Sequence, residues 1–283
     1  MSHGTGGSAV SDHALAATLA RADFVVAQPE HAGDNFQDTS RAGPPSWMTR
    51  PVEVSRVIDA LASHPAWGPR LQLDRVGVHG MSAGGVTALS LAGAQWRLLD
   101  LVRHCLAHAD EDPGFCFTGL QSAQAQAERR ASFERARGVA DGFLPAELRV
   151  VHGGRSPADS ADPRPDLRVA AITLAVPLAA VFSAESLARI RVPVGVVRAG
   201  RDRWLQPAFH TDHVLRHCSP CTLLADLPGA GHTDLLAPWP EAVARGVAAQ
   251  QPWGGSPEVG FDGRERNAAF QKIAEFFDRQ LRP

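Results

Sequence analysis

The feature that most constrains this chain is a short turn at which strand-like patterning changes to helix-like patterning. Val76 and Val78 belong to an apolar, β-branched run that stops at a Gly-Met-Ser-Ala-Gly segment, residues 80–84. A helix-like run, residues 86–92, follows at once. A strand and a helix can approach so closely only where the residues beside the turn lack a Cβ, which explains a glycine on each side of the serine.

A Gly-x-Ser-x-Gly turn between a strand and a helix is typical of a nucleophile elbow. Backbone strain exposes the serine hydroxyl at the carboxyl end of the strand, and the start of the helix directs N–H groups toward a reacting carbonyl. Ser82 is therefore the candidate nucleophile. The alternative is an ordinary turn in which Ser82 caps the helix.

Strand-like and helix-like segments alternate over much of the sequence. Strands are predicted at residues 24–27, 76–80, 169–174, 192–197 and 222–227, and helices at 12–21, 51–62, 86–92, 119–137, 184–190, 207–217 and 268–281. Alternation of this kind implies parallel strands with right-handed crossovers. The fold class predicted is α/β, with a mostly parallel sheet flanked by helices.

Residues 97–165 interrupt this alternation. They contain no clear strand pattern, and a Gly/Pro/Asp-rich loop at 153–166 closes them. Because so long a connection is unusual in a compact domain, we interpret it as an inserted helical cap that shapes substrate access. The expected domains are a core in two parts, 1–96 and 166–283, separated by the cap at 97–165.

A serine nucleophile needs a general base and an orienting acid. His232 lies in a Gly-rich loop directly after the strand at 222–227, and Asp202 follows the strand at 192–197. Both loops belong to the sheet edge expected for Ser82. Asp226 is a rival acid, but it lies inside a strand. The predicted triad is Ser82, Asp202 and His232.

Other polar residues permit alternatives. His210, His213 and His217 could hold a metal, but a solvated helix face is the preferred interpretation, and no metal site is predicted. The acidic run at 110–112 is interpreted as a solvated turn. The four cysteines allow three pairings. The C-x-x-C pair favours a loop-closing disulfide or two free thiols over redox catalysis; the residues are Cys105, Cys116, Cys218 and Cys221.

Composition excludes some partners. A net charge of −2 over 283 residues offers nothing to nucleic acid or an anionic membrane surface. No apolar run approaches the roughly 18 residues that a spanning helix needs. No signal peptide follows Met1, which favours the cytoplasm unless an upstream segment is missing. The sequence does not indicate the oligomeric state.

The first residues are unusually small. Residues 3–7 read His-Gly-Thr-Gly-Gly, and such a run lets backbone N–H groups converge on an anion or oxyanion. The alternative is a disordered terminus.

Several motifs together resemble a known family. They are residues 3–7, 31–35, 80–84, 199–202 and 228–232. With them the chain resembles the α/β-hydrolases, and within these the bacterial group of dienelactone hydrolases and platelet-activating factor acetylhydrolases. The resemblance implies an oxyanion hole formed by the N–H groups of Thr5 and Ala83, and His31 and Met81 are expected to line the substrate pocket.

Two departures from the family pattern matter. Dienelactone hydrolases use a cysteine nucleophile where this chain has serine, which argues against the same substrate. Members also carry one to three strands before the His-Gly loop, and we expect these N-terminal strands to be missing here. The function expected is a serine hydrolase acting on small-molecule carboxylic esters without a cofactor. The alternatives are an amidase, peptidase or acyltransferase with the same triad, or a non-catalytic binding protein.

Overall fold

A computed structural model describes residues 1–120, 122–137, 151–152, 165–236, 241–242, 245 and 258–282. Its helices are α1 His13–Arg21, α2 Pro44–Ser63, α3 Ala83–Leu91, α4 Leu98–His108, α5 Pro113–Cys116, α6 Ala123–Arg137, α7 Ala184–Leu187, α8 Thr211–His217 and α9 Gly263–Leu281. Its strands are β1 Val76–Met81, β2 Gln95–Trp96, β3 Val151–His152, β4 Val169–Ala175, β5 Val194–Ala199 and β6 Cys221–Leu227. Short 3₁₀ turns occur at Gly68–Arg70 and His232–Leu235.

The main sheet is parallel, with strand order β1-β4-β5-β6. Side chains on alternate positions of β4 enter two different cores. Ile172 and Leu174 pack toward α2, α3 and α8, whereas Ala171 and Ala175 pack toward α1 and α9. Burial on both faces is what a continuous apolar strand requires in a parallel sheet. The predicted α/β class, with helices flanking a parallel sheet, is confirmed.

The N-terminal residues lie beside β1. The Ser2 N–H donates to the His79 carbonyl at 2.8 Å, and the Met81 N–H donates to the Ser2 carbonyl at 3.2 Å. The Met1 ammonium donates to the Ala27 carbonyl at 2.7 Å. The strand predicted at residues 24–27 is not a strand of the sheet, so this prediction was wrong.

Two helices begin earlier than the sequence patterns predict. Helix α2 begins at Pro44 and continues through Pro51, the residue at which the sequence pattern predicts its start. A proline fits the first turn of a helix because its missing N–H has no intrahelical partner there. Helix α9 begins at Gly263 because the Asp262 side chain caps it, accepting from the Arg264 N–H at 2.9 Å.

The segment proposed as a cap contains α4, α5 and α6. It also contributes β3, which pairs antiparallel with β2, a pairing that the sequence patterns do not predict. The loop at 153–166 lies outside the described residues as far as residue 164. Disulfides join Cys105 to Cys116, linking α4 to α5, and Cys218 to Cys221, just before β6.

No helix within the described ranges has the length and apolar character needed to cross a membrane.

Gly84 offers a test of the tight turn between β1 and α3. A Cβ at this position would lie 1.9 Å from the Ser2 carbonyl oxygen. We expect Gly84→Ala to lower the free energy of unfolding by about 3 kcal/mol, because backbone must shift to relieve the overlap. Gly229→Ala is the matched control, since a Cβ there meets nothing within 4 Å. Urea denaturation measures both, and equal stabilities would contradict the packing described.

His79 is a buried imidazole on β1. Its Nδ1 lies 2.9 Å from the Thr173 hydroxyl, and its ring is 2% exposed. Burial lowers the pKa of His79 from 6.5 to about 3. The unfolded chain therefore binds a proton at this residue below about pH 6.5, whereas the folded chain does not until about pH 3. Stability consequently falls as the pH falls through this window.

His79→Asn keeps a group that can bond to Thr173 but does not titrate. Between pH 7 and pH 5, we expect the wild type to lose about 2 kcal/mol more stability than the variant. Denaturant unfolding at the two pH values measures this difference. Parallel losses in the two proteins would show that the ring does not stay neutral on folding.

Candidate active site

Ser82 has the backbone conformation of a strained turn. Its φ is 54° and its ψ is −120°, a region that L-residues rarely occupy. A Cβ at Gly80 would lie 2.1 Å from the Gly84 carbonyl oxygen. The Ser82 N–H donates to the Ala175 carbonyl of β4 at 3.1 Å, and its own carbonyl accepts from the Leu178 N–H at 2.9 Å. The turn between β1 and α3 therefore holds Ser82 at the carboxyl edge of the sheet.

Asp202 and His232 come together from loops after β5 and β6. His232 Nδ1 lies 2.7 Å from Asp202 Oδ2, and both side chains are buried. The other carboxylate oxygen accepts from the N–H groups of Trp204 and Leu205, each at 2.9 Å. Because a carboxylate can only accept, Nδ1 carries the proton and Nε2 keeps its lone pair. This is the tautomer that a general base needs.

The rival acid, Asp226, has a different role. Its carboxylate bonds to Arg198 Nη1 at 3.1 Å on a half-exposed surface of β6. It is therefore not the partner of His232.

No hydrogen bond joins the Ser82 hydroxyl to the His232 ring within the described part of the chain. Catalytic hydrogen bonds are often long before substrate binds. The structure thus joins the imidazole to the acid and places the serine at the same edge of the sheet.

Trp204 covers one face of the imidazole. The Trp204 and His232 rings are stacked, with centroids 5.6 Å apart and planes inclined by 6°. The neighbouring Arg203 guanidinium forms an ion pair with Glu258 at 2.5 Å. The ring of His232 is therefore restrained from two sides, by Asp202 through a hydrogen bond and by Trp204 through stacking.

The small residues at 3–7 form an ordered loop against the elbow. Ser2 and His3 are buried, and a Cβ at Gly4 would lie 3.6 Å from Ser82 Oγ. The N–H groups of Thr5 and Ala83, which were expected to form an oxyanion hole, donate no hydrogen bond to any described residue. Thr5 is exposed, whereas Ala83 is buried.

His31 and Met81 are both buried rather than exposed to a pocket. The His31 ring is 0% exposed, with Nδ1 2.6 Å from Glu53 and Nε2 2.8 Å from the Ser2 hydroxyl. Burial lowers the pKa of His31, although the Glu53 hydrogen bond opposes this effect. This serine–histidine–carboxylate chain cannot meet a substrate, because Ser2 is fully buried. Met81, 3% exposed, lies behind Gly4.

A third polar cluster was missed by the sequence patterns. His104, Asp112 and His210 bring potential metal ligands within 4.8 Å of one another. Asp112 and His210 are both 0% exposed, so the interpretations of a solvated turn at 110–112 and a solvated histidine face were wrong for these two residues. No local pattern reveals this cluster, since its members come from three separate segments.

The hydrogen bonds of this cluster do not fit a metal. His210 Nδ1 accepts from the Ala179 N–H at 3.0 Å, so its Nε2 carries the proton and donates to Asp112 at 2.9 Å. A metal on Nε2 would require a doubly deprotonated ring. Burial alone would raise the pKa of Asp112, but the bonds from His104 and His210 bring it down to about 2. Asp112 also accepts a hydrogen bond from the Gln206 N–H, which belongs to the loop that carries Asp202. The cluster therefore holds this loop in place through hydrogen bonds.

Comparisons with known proteins give weak likenesses. No family model matches the chain, and no curated protein matches it. It is similar to a meta-cleavage product hydrolase of Pseudomonas fluorescens IP01 (CumD), solved as a variant with acetates, with 14% identity over 98% of this chain and 89% of that chain and a TM-score of 0.43. Another CumD variant gives 14% identity over 97% and 88%, with a TM-score of 0.40. Because both TM-scores are low, the α/β-hydrolase fold is assigned from the parallel sheet order and from the loops that carry Ser82 after β1, Asp202 after β5 and His232 after β6.

Proposed function

We propose that this chain is a serine hydrolase that cleaves carboxylic esters of small molecules. The observation that carries the proposal is the 2.7 Å bond from His232 Nδ1 to Asp202, at the edge of the sheet where Ser82 occupies its strained turn. His232 Nε2 has no hydrogen-bond partner among the described residues. Nucleophile, acid and histidine also occur in the chain order of this fold.

The proposed reaction has two halves. His232 Nε2 takes the proton of Ser82 as Oγ attacks the acyl carbon, and it returns that proton to the leaving alcohol as the C–O bond breaks. Water then attacks the acyl-enzyme with the same proton transfers, which releases the acid and restores the serine. Asp202 fixes the imidazole tautomer and stabilises the ring when it is charged. No cofactor takes part in these steps.

We assign the oxyanion to the N–H groups of Thr5 and Ala83. Both lack an acceptor among the described residues, and Gly4 brings the first of them close to Ser82. Donors of this kind contribute about 3 kcal/mol each to the transition state. Residues 97–165 are proposed to act as a cap on a core formed by residues 1–96 and 166–283.

Ser82→Ala should abolish labelling by a fluorophosphonate probe, because the reactive oxygen is removed. Ser90→Ala is the matched control, since this buried hydroxyl on α3 has no hydrogen-bond partner among the described residues. In-gel fluorescence measures both variants. Labelling that persists in Ser82→Ala would contradict the assignment of the nucleophile.

Asp202→Asn should lower kcat for p-nitrophenyl esters by about 10³- to 10⁴-fold, because an amide no longer enforces the productive tautomer. Asp226→Asn serves as control and should keep wild-type activity. Stopped-flow release of p-nitrophenol measures the rates. A much smaller loss of kcat in Asp202→Asn would show that another residue orients His232.

Parallel assays on p-nitrophenyl esters of increasing acyl length and on matching anilides separate the remaining alternatives. Faster anilide cleavage would favour an amidase or peptidase. Ligand binding without hydrolysis or probe labelling would favour a non-catalytic binding protein.

A further inference from the structure

One buried side chain donates to two carbonyl groups of the loop beside Ser82. Arg50, on α2, is 0% exposed. Its Nη1 donates to the His3 carbonyl at 2.5 Å, and its Nη2 lies 3.4 Å from the Gly4 carbonyl. Two successive peptide units of the loop therefore turn their oxygen atoms toward the same guanidinium.

This orientation fixes where the corresponding N–H groups point. In a trans peptide the C=O and N–H bonds point in opposite directions. With the Gly4 carbonyl directed at Arg50, the Thr5 N–H faces away from α2. Gly4 itself contacts the nucleophile, because a Cβ on it would lie 3.2 Å from Ser82 Cβ. The N–H side of this peptide is thus the side turned away from Arg50.

Asp34 holds the guanidinium in place and binds the same loop. Its Oδ2 lies 2.7 Å from Arg50 Nη2, and its Oδ1 accepts from the Gly6 N–H at 3.1 Å. The Ser46 hydroxyl donates to Oδ2 at 2.6 Å. Both charged groups are 0% exposed. Arg50 and Asp34 thus form a clamp that contacts the loop at His3, Gly4 and Gly6.

We propose that Arg50, held by Asp34, is a positioning residue that sets the Gly4–Thr5 peptide for oxyanion binding. This inference rests on the proposed function. The Gly4 carbonyl also accepts from His3 Nδ1 at 2.7 Å and from the Gly7 N–H at 3.1 Å. Without the guanidinium these two bonds remain, but the His3 carbonyl loses its 2.5 Å bond and the loop can shift. A displaced Thr5 N–H would stabilise less of the charge that develops on the tetrahedral intermediate. The clamp therefore acts on the transition state more than on the bound substrate.

Arg50→Lys tests the proposal. A lysine keeps a positive charge for Asp34, but its single ammonium lacks the fork that spans two carbonyls. We expect kcat for an ester to fall about 30-fold, less than the roughly 100-fold or more of a fully lost oxyanion donor, because His3 Nδ1 and the Gly7 N–H still bind the Gly4 carbonyl. KM should stay within about threefold. The inhibition constant of an alkylboronic acid, whose tetrahedral adduct places an oxygen in the hole, should rise by a factor similar to the fall in kcat.

Arg168→Lys is the control for losing a multiply bonded arginine. Arg168 contacts Asp166 at 2.7 Å and Asp59 at 2.5 Å, away from the loop at residues 3–7. It should lose stability without losing kcat or boronate affinity. Thermal unfolding of both variants sets an assay temperature at which each is folded.

The outcomes are distinguishable. A folded Arg50→Lys with unchanged kcat and unchanged boronate inhibition would overturn the inference, as would a rise in KM alone. If Arg50→Lys does not fold, Ser46→Ala loosens Asp34 while retaining the guanidinium. Ser46→Ala should lower kcat about threefold and raise the inhibition constant of the boronic acid by a similar factor. Unchanged values of both quantities would overturn the inference. A wild type without hydrolysis or fluorophosphonate labelling would instead overturn the proposed function.

Discussion

The site depends on a single backbone turn. Ser82 is held at a positive φ because β1 and α3 meet without room for a Cβ at Gly80 or Gly84. Strain of this kind costs on the order of 1–3 kcal/mol and persists only where the surroundings over-determine it. Here the Ala175 carbonyl of β4, the Ser2 backbone and the start of α3 all constrain the turn. The direction of the serine hydroxyl follows from main-chain packing, not from its own hydrogen bonds.

A buried ion pair and hydrogen bonds stabilise the loop at residues 3–7, which packs against this turn. Burying an ion pair is expensive, and apolar replacements are often as stable. The Arg50–Asp34 pair nevertheless lies fully buried, and it bonds to the His3 and Gly4 carbonyls and the Gly6 N–H of the loop beside Ser82. A second hydrogen-bond network joins the side chains of Ser2, His31 and Glu53. Because both networks restrain the loop at residues 3–7, we infer that the buried charged groups serve to fix the backbone conformation of this loop.

The sequence was informative where chemistry follows local pattern. The parallel α/β sheet, the turn at Ser82 and the approach of Asp202 to His232 follow from residues adjacent to strand ends, where spacing alone sets the position. Long-range contacts escaped prediction. Arg50 precedes the helix predicted at residues 51–62 and drew no prediction, and His31 was expected in the pocket, because nothing local indicates that each would be buried against residues 2–4. The Asp112 cluster was missed for the same reason.

The central claim is that the imidazole–carboxylate pair activates Ser82 to form an acyl-enzyme. The most direct measurement is rapid quenching of the protein with an excess of p-nitrophenyl ester, followed by intact-mass analysis and peptide fragmentation. The account predicts a burst of p-nitrophenol and one acyl group, located on Ser82 within the tryptic peptide 76–97. Steady turnover with no acyl adduct, or an adduct on another residue, would contradict it.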